Sequence, residues 1–300
     1  MHGWGLTEAL AGLPEWVALV FAVLTQLADA WFVFGGLTLL YFLADERLAT
    51  RPRTAGATLI ALAVCALAAT VALKVTFGVH RPAAAGTATP PAWLPGILDA
   101  VYASISTGDG FGFPSGHATS ATVVYGGLAL VLDRLRTQQQ RIAAAAGLVA
   151  VVALSRLVIG VHHLPDVLAG VVAGTAVLLV VSRLADGQPG RAFLAAAALG
   201  LVALAVTVAT APEHPDEAVK AAIAVGAGVG AAVTWHRVGG EYPPLPIRLA
   251  VPATVVLGAL WGGVYAGGLA LPVTAIGSAL VVAGVVALPW AVDRRTPSAE

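Results

Sequence analysis

Hydrophobic residues run along this chain in long stretches separated by short polar segments. Nine such stretches lie near residues 16–43, 55–79, 118–135, 141–159, 164–183, 192–211, 217–235, 248–268 and 270–291. Each is apolar for about as long as a helix needs to cross a bilayer, roughly 20 residues. The pattern predicts an all-α bundle of about nine membrane helices, with the junction of the last two least defined because Gly262, Gly263, Gly267 and Gly268 crowd it. Abundant Gly and Ala predict close helix–helix approach. Asp29, a carboxylate inside the first stretch, is expected to face the bundle and to serve packing or pairing.

Composition agrees with this pattern. Of 300 residues 58% are hydrophobic and only 11% charged, where a soluble domain carries about 25%. Mean hydropathy is +0.87. The net charge is zero, so no basic surface points to nucleic acid. Cys65 is the single cysteine, which excludes an intrachain disulfide and a thiolate metal cage; its Ala/Leu surroundings predict a packing role. The chain starts without a basic segment of the kind that precedes a cleaved signal peptide.

The connections alternate in charge. Arg47, Arg51, Arg53, Arg134, Arg136, Arg141, Arg183, Arg191, Arg237, Arg248, Arg294 and Arg295 fall on one side, 12 of the 16 basic residues. Lys74, Arg81, Arg156 and Lys220 fall on the other, with acidic Glu213, Asp216 and Glu217. The positive-inside rule then predicts a multi-pass cell-membrane protein with its N-terminus outside and its C-terminus in the cytoplasm. An odd number of spans requires the same. The few basic residues on the outer side sit at the membrane edge of apolar helices, where an ionisable group is expected to have a function.

Three segments on that outer side carry chemistry. Phe113-Pro114-Ser115-Gly116-His117-Ala118-Thr119 predicts a helix start: Pro114 ends what precedes it, Ser115 is a good N-cap, and Gly116 allows close backbone approach. The first free N–H groups of such a helix favour an anion. His117, in the first turn, is placed to give it a proton. Alone, the segment also fits an ordinary cap with an incidental histidine. The second segment, Lys74 to Arg81-Pro82, spaces two cations seven residues apart, on one face if the helix persists. The third runs from Ser155-Arg156 through His162-His163 to Pro165-Asp166. Pro165 suits a first helical turn, which brings His162 and Asp166 within hydrogen-bonding reach. A carboxylate on one ring nitrogen raises the basicity of the other, as a nucleophilic histidine requires. No carboxylate lies near His117 in sequence. His80 and His163 are read as loop residues. Cations and a helix start bind phosphoryl oxygens, and two histidines can supply attack and protonation. Carboxylates are too few and scattered for a metal cage.

Lys-x6-Arg-Pro, Pro-Ser-Gly-His and Ser-Arg-x5-His-x3-Asp, in this order, resemble the three signature motifs of the type 2 phosphatidic acid phosphatase (PAP2) superfamily. The resemblance implies a membrane phosphatase that works without metal or cofactor. It implies His162 as the nucleophile that becomes phosphohistidine, Asp166 as its orienting partner, and His117 as general acid and then base. Lys74, Arg81, Ser115, Gly116 and Arg156 are implied to hold the phosphoryl group. The expected substrate is a lipid phosphate or polyprenyl diphosphate met at the extracytoplasmic membrane edge. The expected organisation is a six-helix core over 1–211 and three further helices over 212–300. The nine-helix layout is similar to glucose-6-phosphatase, which makes a soluble sugar phosphate the second reading. A haloperoxidase, whose superfamily pocket is nearly the same, ranks lower because the known ones are soluble, and a non-enzymatic transporter ranks lower because the polar groups cluster at one rim without a clear repeat. The connection 82–112, with Trp93, Pro95, Ile97 and Leu98, is expected to lie in the membrane interface as a lid or a wall past which lipid arrives.

Overall fold

The computed structural model describes residue 10 and residues 13–295. Among these residues the only extended pairing is one bridge between His80 and Phe111; everything else ordered is helical. Helix α1 (Glu15–Leu24) passes through a 3-10 turn (Thr25–Ala28) into α2 (Ala30–Leu43). Then follow α3 (Pro52–Phe77), the short α4 (Asp99–Ser106), α5 (Gly116–Val131), α6 (Gln138–Val158), α7 (Leu164–Ala185), α8 (Pro189–Thr210), α9 (Pro215–Val238), α10 (Ile247–Ala266) and α11 (Leu271–Asp293).

All nine apolar stretches are largely helical, in keeping with a bundle of about nine helices, but they differ in length. Among the described residues seven helices are long and apolar enough to cross on their own, and eight if the bent pair α1–α2 counts as one. The remaining helix, α5, has 16 residues, which at 1.5 Å per residue reaches only about 24 Å of a hydrocarbon core of roughly 30 Å. The expected continuous helix over 16–43 is broken at Asp29, whose ψ of 150° is extended, and its two halves meet at 47°.

Helix α3 is central. It is buried along most of its length and packs on α2, α5, α8 and α9, whereas α10 faces outward along nearly all of its own. Helix α5 packs between α6 and α7. Helix α9 lies against both α8 and α11, and at Gly226 an added Cβ would run into the backbone of Ala275, so only glycine lets α9 and α11 approach this closely. One hydrophobic core contains Leu59, Leu62, Phe193, Ala224 and Val282, drawn from helices before and after residue 211. Outward Val172, Leu184 and Leu280 stay more than 60% exposed, as expected of side chains that face lipid.

The loops meet at two ends. At one, Thr50 donates to Asp133 from its N–H (2.8 Å) and its Oγ1 (2.6 Å), and Leu245 N–H donates to Phe42 O. Glu241 accepts from the N–H groups of Arg53 (2.8 Å) and Thr54 (3.0 Å), capping the start of α3. The other end holds the motifs.

Candidate active site

The site is assembled where three helix ends meet. Helix α3 ends at Phe77 because Gly78 turns left-handed, at φ +59°. The helix therefore does not persist to Arg81, and the expected shared helical face of Lys74 and Arg81 does not exist. A return of the chain brings Arg81 back instead. The His80–Phe111 bridge and a bond from Gly112 N–H to Val79 O (2.7 Å) fold the loop over. Arg81 Nε then donates to Asp109 O (2.7 Å) and Nη1 to Val161 O (3.1 Å). Lys74, in the last turn of α3, is 8% exposed, with Arg81 and Arg156 among its charged neighbours.

Ser115 is the N-cap of α5, as its sequence predicts, and its Oγ accepts from Ala118 N–H at 3.5 Å. Its own N–H donates to Asp166 O (2.9 Å), which ties the second motif to the third through backbone. The contact requires α5 and α7 to lie close. Gly170 permits it: a Cβ there would sit 2.6 Å from Ser115 O.

Arg156 occupies the last turn of α6, buried, with Nη1 donating to Thr25 Oγ1 at 3.0 Å. The turn after α6 carries His162, and α7 begins at Leu164 with Asp166 in its first turn. Asp166 Oδ2 accepts from His163 N–H (2.8 Å) and lies 3.5 Å from His162 Nδ1. His162 is only 1% exposed, and its Nε2 is 3.0 Å from Arg81 Nη1. A guanidinium can only donate. Nε2 is therefore the acceptor, and the proton of a neutral ring belongs on Nδ1, facing Asp166. Burial first, and then the charges of Arg81, Arg156 and Lys74, hold the His162 imidazole well below the usual histidine range. His162 is thus a neutral base whose lone pair points at a cation.

His117 opens α5 and is half-buried, 23% exposed. It does have a carboxylate neighbour, contrary to what sequence proximity implies: Asp29 Oδ2 lies 3.7 Å from its Nε2. Asp29 and Thr25 are site residues that the motifs do not contain. An intramembrane carboxylate was a visible signal for the first; nothing in the sequence marks the second. Glu217 and Lys220 of α9, paired at 3.0 Å, also lie in the electrostatic neighbourhood of Lys74. All eight expected site residues thus fall in one region, around a cluster of Lys74, Arg81 and Arg156 that is suited to a tetrahedral oxyanion. Among the described residues no group of three His, Cys, Asp or Glu is arranged to hold a metal ion. A cavity of about 620 Å³ lies nearby, between α8, α9 and the α10–α11 turn, lined in part by His214 and Tyr265. His214 packs on Phe111 with the rings tilted at 57° and their centroids 4.4 Å apart.

No curated protein and no solved structure matches the chain. The family model of the PAP2 superfamily matches residues 54–188. That span begins after Thr25 and Asp29 and contains every motif residue named above. Residues 54–188 of this multi-pass helical membrane protein thus match the PAP2 superfamily, and all three motifs lie inside that segment.

Proposed function

We propose that this protein hydrolyses a lipid phosphate or polyprenyl diphosphate through a phosphohistidine on His162, at the extracytoplasmic face. One observation carries the reading: His162 sits between Arg81 at 3.0 Å and Asp166 at 3.5 Å, buried and in the tautomer that leaves Nε2 free to attack. Phosphoryl oxygens compete for Arg81 as substrate enters, and this releases the Nε2 lone pair. Nε2 bonds to phosphorus as the bond to the leaving oxygen breaks, and His117 protonates that oxygen. Water then attacks the phosphohistidine with His117 as base, which frees inorganic phosphate and restores the imidazole. Lys74, Arg81, Arg156 and the α5 N-terminus carrying Ser115 and Gly116 hold the equatorial oxygens. These fixed cations neutralise the charge that a metal would otherwise meet, so the reaction is metal-independent.

A lipid substrate fits the surroundings. Trp93, Ile97 and Val101 on and before α4 are more than half exposed. Such an apolar, Trp-bearing surface beside the site suits the membrane interface. The test is hydrolysis in detergent of a polyprenyl diphosphate and a sugar phosphate in parallel, with and without EDTA. Turnover of the lipid, unaffected by chelation, is expected. Preference for the sugar phosphate moves the substrate to the second reading, and loss on chelation restored by magnesium defeats metal independence. Orientation is checked by cysteine at Thr87 or Gln139, both exposed and at opposite ends. An impermeant thiol reagent on intact cells should label Thr87→Cys; labelling of Gln139→Cys alone reverses the face.

A further inference from the structure

The broken turn of the first span reaches the site from outside the matched family segment. It does so twice. Thr25, fully buried, accepts a hydrogen bond from Arg156 Nη1 at 3.0 Å. Asp29, at the break itself, places Oδ2 3.7 Å from His117 Nε2, a buried ring nitrogen with no hydrogen-bond partner among the described residues. We propose that the Thr25–Asp29 turn is a positioning element of the active site, in which Asp29 holds His117 as the proton donor and Thr25 holds the Arg156 guanidinium toward the phosphoryl group.

The charges around His117 make a carboxylate necessary for that role. Arg156 from α6, Arg81 from the loop after α3 and the ring of His162 all face it. Two of these are cations, and the α5 N-terminus adds its own positive end. All of them oppose an imidazolium, yet a general acid must carry its proton before it can give it away. Asp29 is the carboxylate that faces His117, and it also interacts with Arg156. Extended backbone at Asp29 is what aims the side chain across the bundle, since a continuous helix would carry it along the α1–α2 surface. The break in the span thus has a chemical use.

The inference rests on the phosphatase reading, and the test separates the two. Asp29 is at the N-cap position of α2 but its side chain makes no capping hydrogen bond there, and Asn has nearly the same shape as Asp. Asp29→Asn therefore keeps the fold and removes only the charge. We compare kcat/KM for an alkyl phosphate, whose leaving oxygen needs a proton, with that for p-nitrophenyl phosphate, whose leaving group does not. Asp29→Asn should lower the first by about 10- to 100-fold and the second by a much smaller factor, since general-acid catalysis is worth roughly 10²–10⁴ in all. Thr25→Val should raise KM for both substrates at least about tenfold, roughly the loss of one hydrogen bond to a charged group, and Thr25→Ser should restore it. Equal losses on both substrates, or none, overturn the role of Asp29; failure of Thr25→Ser to rescue, or no effect of Thr25→Val, overturns that of Thr25. A protein with no turnover at all defeats the phosphatase reading instead. The pairing is then read directly by nitrogen NMR of the His117 ring: Asp29→Asn should make it give up its proton at lower pH, and an unchanged titration overturns the proposal.

Discussion

Two buried arginines, Arg53 and Arg156, mark the two ends of the bundle, and their surroundings differ. Arg53, fully buried, donates from Nη2 to Ala44 O and lies over the Tyr41 ring at 5.6 Å. Glu241 and Asp45 are among its charged neighbours. Arg156 is as deeply placed, but its neighbours are Arg81 and Asp29, with Lys74 close by. At the first end these charged neighbours of the arginine are carboxylates. At the second, Lys74, Arg81 and Arg156 lie close enough to oppose one another's charge, with Asp29, Asp109, Asp166 and Glu217 around them. Clustered buried cations repel one another, and an incoming anion relieves that repulsion. The Arg53 end therefore has the features of a clamp, and the Arg156 end those of the proposed anion site.

The comparison is broken most severely at the nucleophile. His162→Ala should abolish turnover and phosphoenzyme together, a loss of at least several kcal/mol of barrier lowering. Acid-labile, base-stable phosphate should appear on wild type and never on His162→Ala; label on that variant after quenching reassigns the nucleophile. His117→Ala should slow both halves of the cycle, and with p-nitrophenyl phosphate it should still accumulate phosphoenzyme.

Next come the arginines themselves. Arg156→Met should cost about 10²–10³ in kcat/KM, or roughly 3–4 kcal/mol, as loss of an oxyanion-stabilising donor does. Arg53→Met, at the distant end, should leave kcat/KM of the folded protein within about twofold. Equal activity losses in the two variants would erase the distinction between clamp and site.

Glu241→Ala tests the clamp. It removes the acceptor for two free N–H groups at the start of α3 and for Thr54 Oγ1 at 2.6 Å. Loss of such a cap costs about 1 kcal/mol. A lower unfolding temperature in detergent with unchanged kcat/KM is expected, and a fall in kcat/KM would tie the far end to catalysis.

The smallest effect is the pH response of His162. Its imidazole is held below the usual range, so it stays neutral as pH falls through about 6.5. The His162 contribution to kcat/KM should therefore stay level from pH 8 to 6.5, with its acid limb lower. Below about 6.5 the unfolded chain takes up a proton at this residue before the folded chain does, so stability declines on acidification. The decline between pH 7.5 and 5.5, followed by thermal unfolding, should be shallower in His162→Ala. An identical decline would mean that His162 is not held neutral.

The sequence by itself determined the helical class, the position of each apolar segment, the α5 start at Ser115 and the proximity of Asp166 to His162. These are local signals: periods, caps and spacings of a few residues fix them wherever the chain goes. It also placed the three motifs at one end of the bundle, because successive helices alternate direction. Only the tertiary structure decided the rest. The chain turns back after Gly78, so Arg81 reaches His162 by a loop and not along a helix. Gly170 lets α7 approach Ser115, which sets the distance between the second and third motifs. The first span breaks at Asp29, and the break delivers Asp29 to His117 and Thr25 to Arg156. Each of these contacts joins residues far apart in the chain, and its geometry depends on how closely helices pack and where one of them bends. No local pattern of side chains encodes that.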